Sequence, residues 1–266
     1  MDKILEDKIK TYYTKYYRDS CKLPDWQERT AQRLKEDQLE STRMKEMEAL
    51  LDVSFQNQRH CIIGAGTGGL AIVLEKEFGV DVYGIEPCEE EMTIIHLQCD
   101  QANIPREKFK QEPCETLSFE DNMFDIVHCF TVIEHVDDIN QCLEQIIRVT
   151  KPGGKIYINT PNYAFLYERH YKIPFPTFFP KRMRTLYMKF IGKWTPFFET
   201  INFVTEKDID QLLIKKSDIV WYRLYRPHTS AIGRFAKLWD YLRFKKNITM
   251  NQEIIIKKLT KQSKNS

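Results

Sequence analysis

The stretch Arg59-His-Cys-Ile-Ile-Gly-Ala-Gly-Thr-Gly-Gly-Leu70 most constrains what this chain can fold into. An apolar run ends in alternate glycines at Gly64, Gly66 and Gly68, and a helical pattern starts at once behind them. It predicts a strand, a tight turn and a helix. A side chain in such a turn would keep the backbone from closing over a ligand, and the first N–H groups of the helix are free to meet an anion. A second apolar run, Val80 to Ile85, ends in Glu86, where a carboxylate is placed to accept hydrogen bonds from both hydroxyls of a ribose. Together the two runs ask for an adenosine-containing cofactor. The glycines alone do not choose it, because Gly64, Gly66 and Gly69 also satisfy the dinucleotide pattern G-x-G-x-x-G.

The order of the following segments narrows the choice. Pro113-Cys-Glu-Thr-Leu-Ser-Phe119 precedes Phe124-Asp-Ile-Val-His-Cys-Phe130 and Thr131-Val-Ile-Glu-His135, and Val149-Thr-Lys-Pro-Gly-Gly-Lys-Ile-Tyr-Ile-Asn-Thr-Pro161 comes next. With these residues the sequence resembles the class I S-adenosylmethionine-dependent methyltransferases of the small-molecule type, strongly over about residues 58–162 and loosely elsewhere. The resemblance implies an α/β fold: a doubly wound Rossmann-like sheet of seven strands with the last antiparallel, an N-terminal helical lid and a helical insertion. Residues 1–57 would be the lid, 58–162 the cofactor-binding core, 163–200 a substrate-side aromatic and basic insertion, and 201–266 the completion of the sheet. S-adenosylmethionine is the implied cofactor. Gly64, Ala65, Gly66 and Gly68 would lie along its methionine part and Glu86 would bind the ribose. Pro87 and Leu117 would flank the adenine, backbone groups of Cys114 and Glu115 would read its edge, and Phe130 would lie near the amino end and the transferring methyl.

Three positions depart from the family pattern. Ile62 stands where an acidic residue usually precedes the first glycine, and Pro113 stands where the adenine loop often has Asp. Contacts to the cofactor's amino group and adenine amine must then come from elsewhere or through water. Thr131-Val-Ile-Glu-His135 is similar to the metal-binding E-x-x-E-H of some quinone and RNA methyltransferases, with Thr131 in place of the first glutamate. With that ligand missing, no metal is expected.

Strands are predicted at 59–64, 80–86, about 107–112, 124–130 and 155–161, with helices after the first, second and fourth. Such alternation gives a parallel sheet with ligands outside the carboxyl ends of its strands. Before it, the glycine-free residues 1–57 predict a Tyr-rich helix and then one long helix. After it, a capping-box-like Thr205-Glu-Lys-Asp208 starts a helix through Leu213. A strand at 218–226, a helix near 231–243 and a last strand at 253–259 follow.

A hydrophobic fraction of 42% supports a sizeable core. With no run of 18 apolar residues and no signal-peptide pattern, a soluble cytoplasmic protein is expected. The seven cysteines form no C-x-x-C pair, so they are expected as reduced thiols rather than a zinc site or a disulfide framework. Residues 1–170 carry 20 Lys and Arg against 31 Asp and Glu, whereas residues 171–266 carry 20 against 7. The basic part suits either a solvated face or an anionic acceptor or membrane surface, with peripheral membrane contact through 172–194. Neither a base-methylation motif nor a nucleic-acid module is present, so no nucleic-acid partner is expected.

A sulfonium methyl is already electrophilic, so the protein's task is to align donor and acceptor and exclude water. If the acceptor is a hydroxyl, a base must take its proton, and His135 and His170 are the candidates. Tyr163, Tyr167, Glu168 and Tyr171 surround His170 in sequence and are the candidate acceptor-binding residues. Bacterial methyltransferases with a similar P-N-Y…E-x-H-Y-K insertion belong to glycan and secondary-metabolite settings. They imply methyl transfer to a hydroxyl of a glycan, nucleotide sugar or related natural product. The alternatives are an N- or C-methyltransferase on an amine or quinone-like ring, and a nicotinamide- or flavin-dependent oxidoreductase.

Overall fold

The apolar runs of the core line up as one sheet, and their order fixes where a ligand can sit. A computed structural model describes residues 2–164, 167–168, 170–224 and 251–260. The expected helix near 231–243 lies outside the described residues. The chain begins with α1 (Lys3–Thr14), prolonged by a π-helical turn over Lys15–Ser20, then α2 (Trp26–Arg33) and α3 (Glu36–Leu51). The core follows as β1 (Arg59–Ile63), α4 (Gly69–Phe78), β2 (Asp81–Ile85), α5 (Glu89–Ala102), β3 (Phe109–Lys110), β4 (Phe124–Phe130), α6 (Ile139–Val149) and β5 (Thr150–Pro161). A small hairpin of β6 (Tyr167–Glu168) and β7 (Ile173–Pro174) leads into α7 (Lys181–Phe190) and α8 (Pro196–Glu199). The chain then returns to the sheet through α9 (Glu206–Leu213), β8 (Ile219–Leu224) and β9 (Asn251–Lys258).

The seven-stranded sheet runs β3-β2-β1-β4-β5-β9-β8. The pairings from β3 to β5 are all parallel, while β9 is antiparallel to both β5 and β8. This is the Rossmann-like sheet with an inserted antiparallel strand expected above, and the order reverses between β1 and β4. Ligands of such sheets bind at that reversal, beyond the strands' carboxyl ends. One apolar layer packs α6 and α9 on one face, through Leu143, Ile146, Ile147, Ile209 and Leu213. The other face is covered by α3, α4 and α5, through Met44, Met47, Leu70, Leu74 and Ile95. The capping box at Thr205 and Asp208 is formed as its sequence predicts.

Two expectations are corrected. The long N-terminal helix is broken at Leu34–Lys35 into α2 and α3, where Lys35 leaves helical geometry at φ −113° and ψ 21°. Glu40, Met44, Met47 and Leu51 share the buried face of α3, while Leu39 is 56% exposed. Cys114 and Cys142 are joined as a disulfide with Cα atoms 5.1 Å apart, not free thiols. The sequence could not signal this, since 28 residues separate the pair and only the packing of the 114–116 turn on α6 brings them together. The other five cysteines are free, four of them buried.

Beneath the cofactor end of the sheet, His60 of β1 and His128 of β4 are fully buried, with His128 Nε2 3.0 Å from His60 Nδ1. Phe55 packs edge-on to both rings. Burial holds His60 well below its ordinary value and His128 down at about 3, and each partner adds a like charge or a neighbouring cation. A folded-state pKa below the unfolded value of about 6.5 means that the unfolded chain takes up protons first as pH falls. Stability is therefore intact above about pH 6.5 and is lost as pH drops toward 3. By pH 5 the shift of His128 costs about 2 kcal/mol, and that of His60 acts in the same direction. Thermal unfolding between pH 7.5 and 5 should show a falling Tm with a shallower slope for His128→Gln; equal slopes would contradict this assignment.

Candidate active site

The site begins at the end of β1. Gly64, Gly66 and Gly68 all have positive φ, at +69°, +58° and +94°. At Gly64 the reason is also steric, because a Cβ there would lie 2.4 Å from Val132 Cγ2 in the loop after β4. The turn is tied to β2 by Ala65 N–H donating to Ile85 O at 2.8 Å. Gly68 caps α4, so the N-terminus of that helix opens beside the turn.

Glu86, 6% exposed at the tip of β2, holds the turn from the other side. Its Oε2 accepts the Gly66 N–H at 3.0 Å and its Oε1 accepts the Cys88 N–H at 2.9 Å. Each oxygen keeps a second lone pair that can accept a hydroxyl. Burial raises its pKa, and the two N–H donors oppose that rise. Glu91, on the first turn of α5, faces it and is pushed up to about 8 by burial and by the Glu86 charge.

Gly64, Ala65, Gly66, Glu86, Pro87, Phe130 and His135 line a single cleft of about 300 Å³. That volume is at the lower end for a small-molecule site. Of the other expected cofactor residues, Gly68 serves the helix cap, and Cys114 and Leu117 are buried in the sheet core outside the cleft lining. Glu115 turns its carboxylate to the N–H groups of Asp137 and Asp138 at 2.7 and 3.2 Å, fixing the start of α6. Thr131, the residue that replaces the motif glutamate, sits in the cleft wall at φ +55°, a strained conformation for a β-branched residue.

The far wall comes from the N-terminal helices, which the sequence did not flag as site residues. Tyr13, Arg33, Glu36, Glu40 and Arg43 all line the cleft. Tyr13 Oη lies 3.2 Å from Thr67 Oγ1, and Arg33 pairs with Glu36. Arg33, Glu36, Glu40 and Arg43 follow helical spacing, yet charges at such spacing usually read as solvated surface pairs.

His135, part of the cleft lining, meets His170 behind it, with ring centroids 5.9 Å apart and Phe197 5.5 Å from each. His170 Nδ1 lies 2.8 Å from Oε1 of Glu168, a fully buried side chain. An ionised carboxylate can only accept, so Nδ1 carries the proton and Nε2 is left to accept one. Glu168 is held by the Tyr171 N–H at 2.7 Å and by Tyr163 Oη at 3.3 Å. Tyr163 and Tyr171 are 2% and 1% exposed, and both contribute to holding Glu168. The side chain of Tyr167 lies outside the described residues. His135 is 3.3 Å from Thr200 Oγ1 and is lowered to about 4, first by burial and then by His170. Glu134, His135 and His170 each bring a ligand-type atom within 4.8 Å of one another, so the fold supplies a neighbour that the Thr131 substitution had seemed to remove.

The comparisons with known proteins fit this geometry. Residues 62–158 match a family described as a methyltransferase domain. The core of this chain is a class I S-adenosylmethionine-dependent methyltransferase domain. Over 101 residues the chain is 33% identical to a ubiquinone biosynthesis O-methyltransferase of Acinetobacter baumannii, covering 38% of this chain and 42% of the relative. Over 96 residues it is 34% identical to phosphoethanolamine N-methyltransferase 2 of Caenorhabditis elegans, covering 36% and 22%. The chain thus spans less than half the length of these curated relatives. A Galdieria sulphuraria protein described as a sarcosine dimethylglycine methyltransferase shares the fold of the domain and its surroundings, with TM-score 0.57, 14% identity and 95% and 98% coverage. An S-adenosylmethionine-dependent methyltransferase from Mesorhizobium loti does so at TM-score 0.53, 13% identity and 77% and 93% coverage.

For the methyltransferase domain, Glu86→Ala removes charge-assisted bonds worth about 1.5–3 kcal/mol each. It should weaken S-adenosylhomocysteine binding at least about tenfold in calorimetry. Gly66→Val, at a left-handed turn facing the cleft, should abolish that binding. Unchanged affinity in both variants would mean that the cleft is not the cofactor site.

Proposed function

We propose that this protein transfers the methyl group of S-adenosylmethionine to a hydroxyl of a small-molecule acceptor, with His170 taking the hydroxyl proton. The observation that carries the reading is the Glu168–His170 pair packed beside His135, which lines the glycine-loop cleft. A base works best with a pKa near the working pH, so His135, held at about 4, is the weaker candidate and serves to wall the site. The reaction then needs alignment of sulfonium, methyl and oxygen, exclusion of water by the N-terminal lid, and passage of the proton to His170 Nε2.

The acceptor is proposed to be a glycan, nucleotide sugar or related natural product, carried on an anionic or lipid-linked group. The exposed face of α7 supports it: Leu186 is 65% and Phe190 89% exposed, beside the exposed Lys181, Arg182 and Lys189. Phe178 adds a ring 72% exposed. Such a face suits the headgroup layer of an anionic membrane, at the inner surface of which the protein would act. Lys181 also pairs loosely with Glu199 at 3.9 Å and Lys189 lies 5.0 Å over the Trp194 ring, and other basic residues of the insertion are engaged more closely within the chain. Lys172 pairs with Asp25 at 2.6 Å, and Arg184 lies 3.9 Å over the Phe203 ring. No described helix is long and apolar enough to cross a membrane.

The names of the two relatives leave N-methylation of an amine, or methylation of a quinone-like ring, as the second reading. Competition between nucleotide sugars, amines and quinols for the methyl group separates them. The oxidoreductase alternative falls with the methyltransferase assignment of the core.

In single-turnover assays with a hydroxyl acceptor, His170→Ala should lower the rate about 10²–10⁴-fold while S-adenosylhomocysteine affinity stays within about twofold. Loss of affinity and rate together would reduce His170 to a packing role. Activity should also survive EDTA, because the proton is removed by imidazole. Abolition by EDTA and recovery with a divalent cation would instead make His170 a ligand with Glu134 and His135.

A further inference from the structure

Three charged residues of the lid, Asp25, Arg29 and Arg33, fall at four-residue spacing and so stack along one side of α2. Arg33, at the end of the helix, lines the cofactor cleft. One turn back, Arg29 reaches the acceptor side. Its Nε donates to Asp25 at 3.0 Å and its Nη2 donates to the backbone carbonyl of His170 at 3.3 Å. Asp25 in turn pairs with Lys172 at 2.6 Å. The chain between β6 and β7 is thereby held on both sides of Tyr171, where Lys172 turns left-handed at φ +52°. Burial works to raise the Asp25 carboxyl, and the bonds from Lys172 and Arg29 overcome it and hold the group below its ordinary value.

We propose that Asp25 and Arg29 are positioning residues for methyl transfer, through which α2 fixes the backbone of His170 so that its Nε2 is presented to the acceptor hydroxyl. The proposal rests on the reading of His170 as the base. Glu168 fixes the ring by accepting from Nδ1, and that bond chooses the tautomer. It does so only while ring and carboxylate keep their relative direction. β6 and β7 pair over two residues each, and so short a ladder holds the turn between them weakly. Arg29 supplies the missing hold at the other end of the residue, on its carbonyl. A misplacement of about 1 Å at a reacting group can cost about 10²-fold in rate, so the hold bears directly on the proton transfer.

Apolar packing cannot supply this hold. Tyr17 and Leu23 of the lid share one buried cluster with Tyr171 and Ile173 of the insertion, which keeps the two together without fixing a direction. A hydrogen bond is directional, and the planar guanidinium, with its donors in fixed positions, meets Asp25 and the His170 carbonyl at once. Arg29 and Asp25 are half-buried, whereas the lid's pair of Lys15 with Glu90 is exposed and grips only the outside of α5. A consequence is that the helix walling the cofactor cleft also sets the base, so the acceptor side is complete only with the lid seated.

Nuclear magnetic resonance of the full chain with isotope-labelled histidine, in mildly alkaline buffer where imidazoles are neutral, reads the tautomer of each ring. His170 should show the single Nδ1–H tautomer in the unaltered protein and both tautomers in Arg29→Gln and in Asp25→Asn. Lys15→Gln should leave it single, and S-adenosylhomocysteine affinity should stay within about twofold in all three variants. The buried His60 and His128 report on the fold, and their signals should not move. A single tautomer kept in both variants, a mixture already present in the unaltered protein, or movement of His60 and His128 together with His170 overturns the positioning role. Asp25→Asn preserves the shape of the side chain and decides the matter if Arg29→Gln does not fold. Failure of the base reading is seen separately: single-turnover transfer at full rate in His170→Ala overturns that reading, and the positioning role with it, whatever the tautomers show.

Discussion

The Glu86 carboxylate is the interaction on which the rest of the site depends. Two parallel strands end side by side, and a left-handed glycine turn leaves one of them. Left to itself, such a turn has unpaired N–H groups and several accessible conformations. Glu86 removes that freedom by accepting the Gly66 N–H from one strand end and the Cys88 N–H next to its own. A buried carboxylate needs such donors to stay ionised, and here the donors are the backbone it organises. The same oxygens are then presented, already oriented, to a pair of hydroxyls.

Around this fixed point the chain builds outward in two directions. Toward the N-terminus, α3 lies across the glycine loop and closes the cleft with charged groups that sit on an otherwise apolar face. Toward the C-terminus, the hairpin of β6 and β7 buries Glu168 and brings His170 against His135 of the cleft wall. The insertion spends its aromatic residues on its own interior, where Tyr163, Tyr171, Phe175 and Phe198 pack with Tyr13 and Tyr17 of the first helices. That shared cluster joins the lid to the acceptor side, so the two walls of the cleft are one packed unit.

Much of the sheet was legible in the sequence. Alternating apolar runs and glycine turns report local geometry, and β1, β2 and β4 fall within a residue of their expected ends. The residues at the strand tips, Gly64, Gly66, Glu86 and Phe130, follow from that geometry. What could not be read depends on distant contacts. The break at Leu34–Lys35 and the cleft-facing charges of α3 are set by what the helices rest on. The Cys114–Cys142 bond and the meeting of His135 with His170 require loops far apart in sequence to come together. The side chains of Cys114 and Leu117 are taken up by the core and that of Glu115 by the start of α6, which leaves the expected contacts of Cys114 and Glu115 to their backbone groups. Charges at helical spacing carry no mark that distinguishes a solvated pair from one aimed into a cleft.

The most direct test of the central claim is calorimetric titration of the unaltered protein with S-adenosylmethionine, beside NAD as a control. Micromolar binding of S-adenosylmethionine with none of NAD is the predicted result. Binding of NAD alone would contradict the account, because the glycine turn and Glu86 would then serve a dinucleotide and the methyl-transfer chemistry built upon them would have no donor.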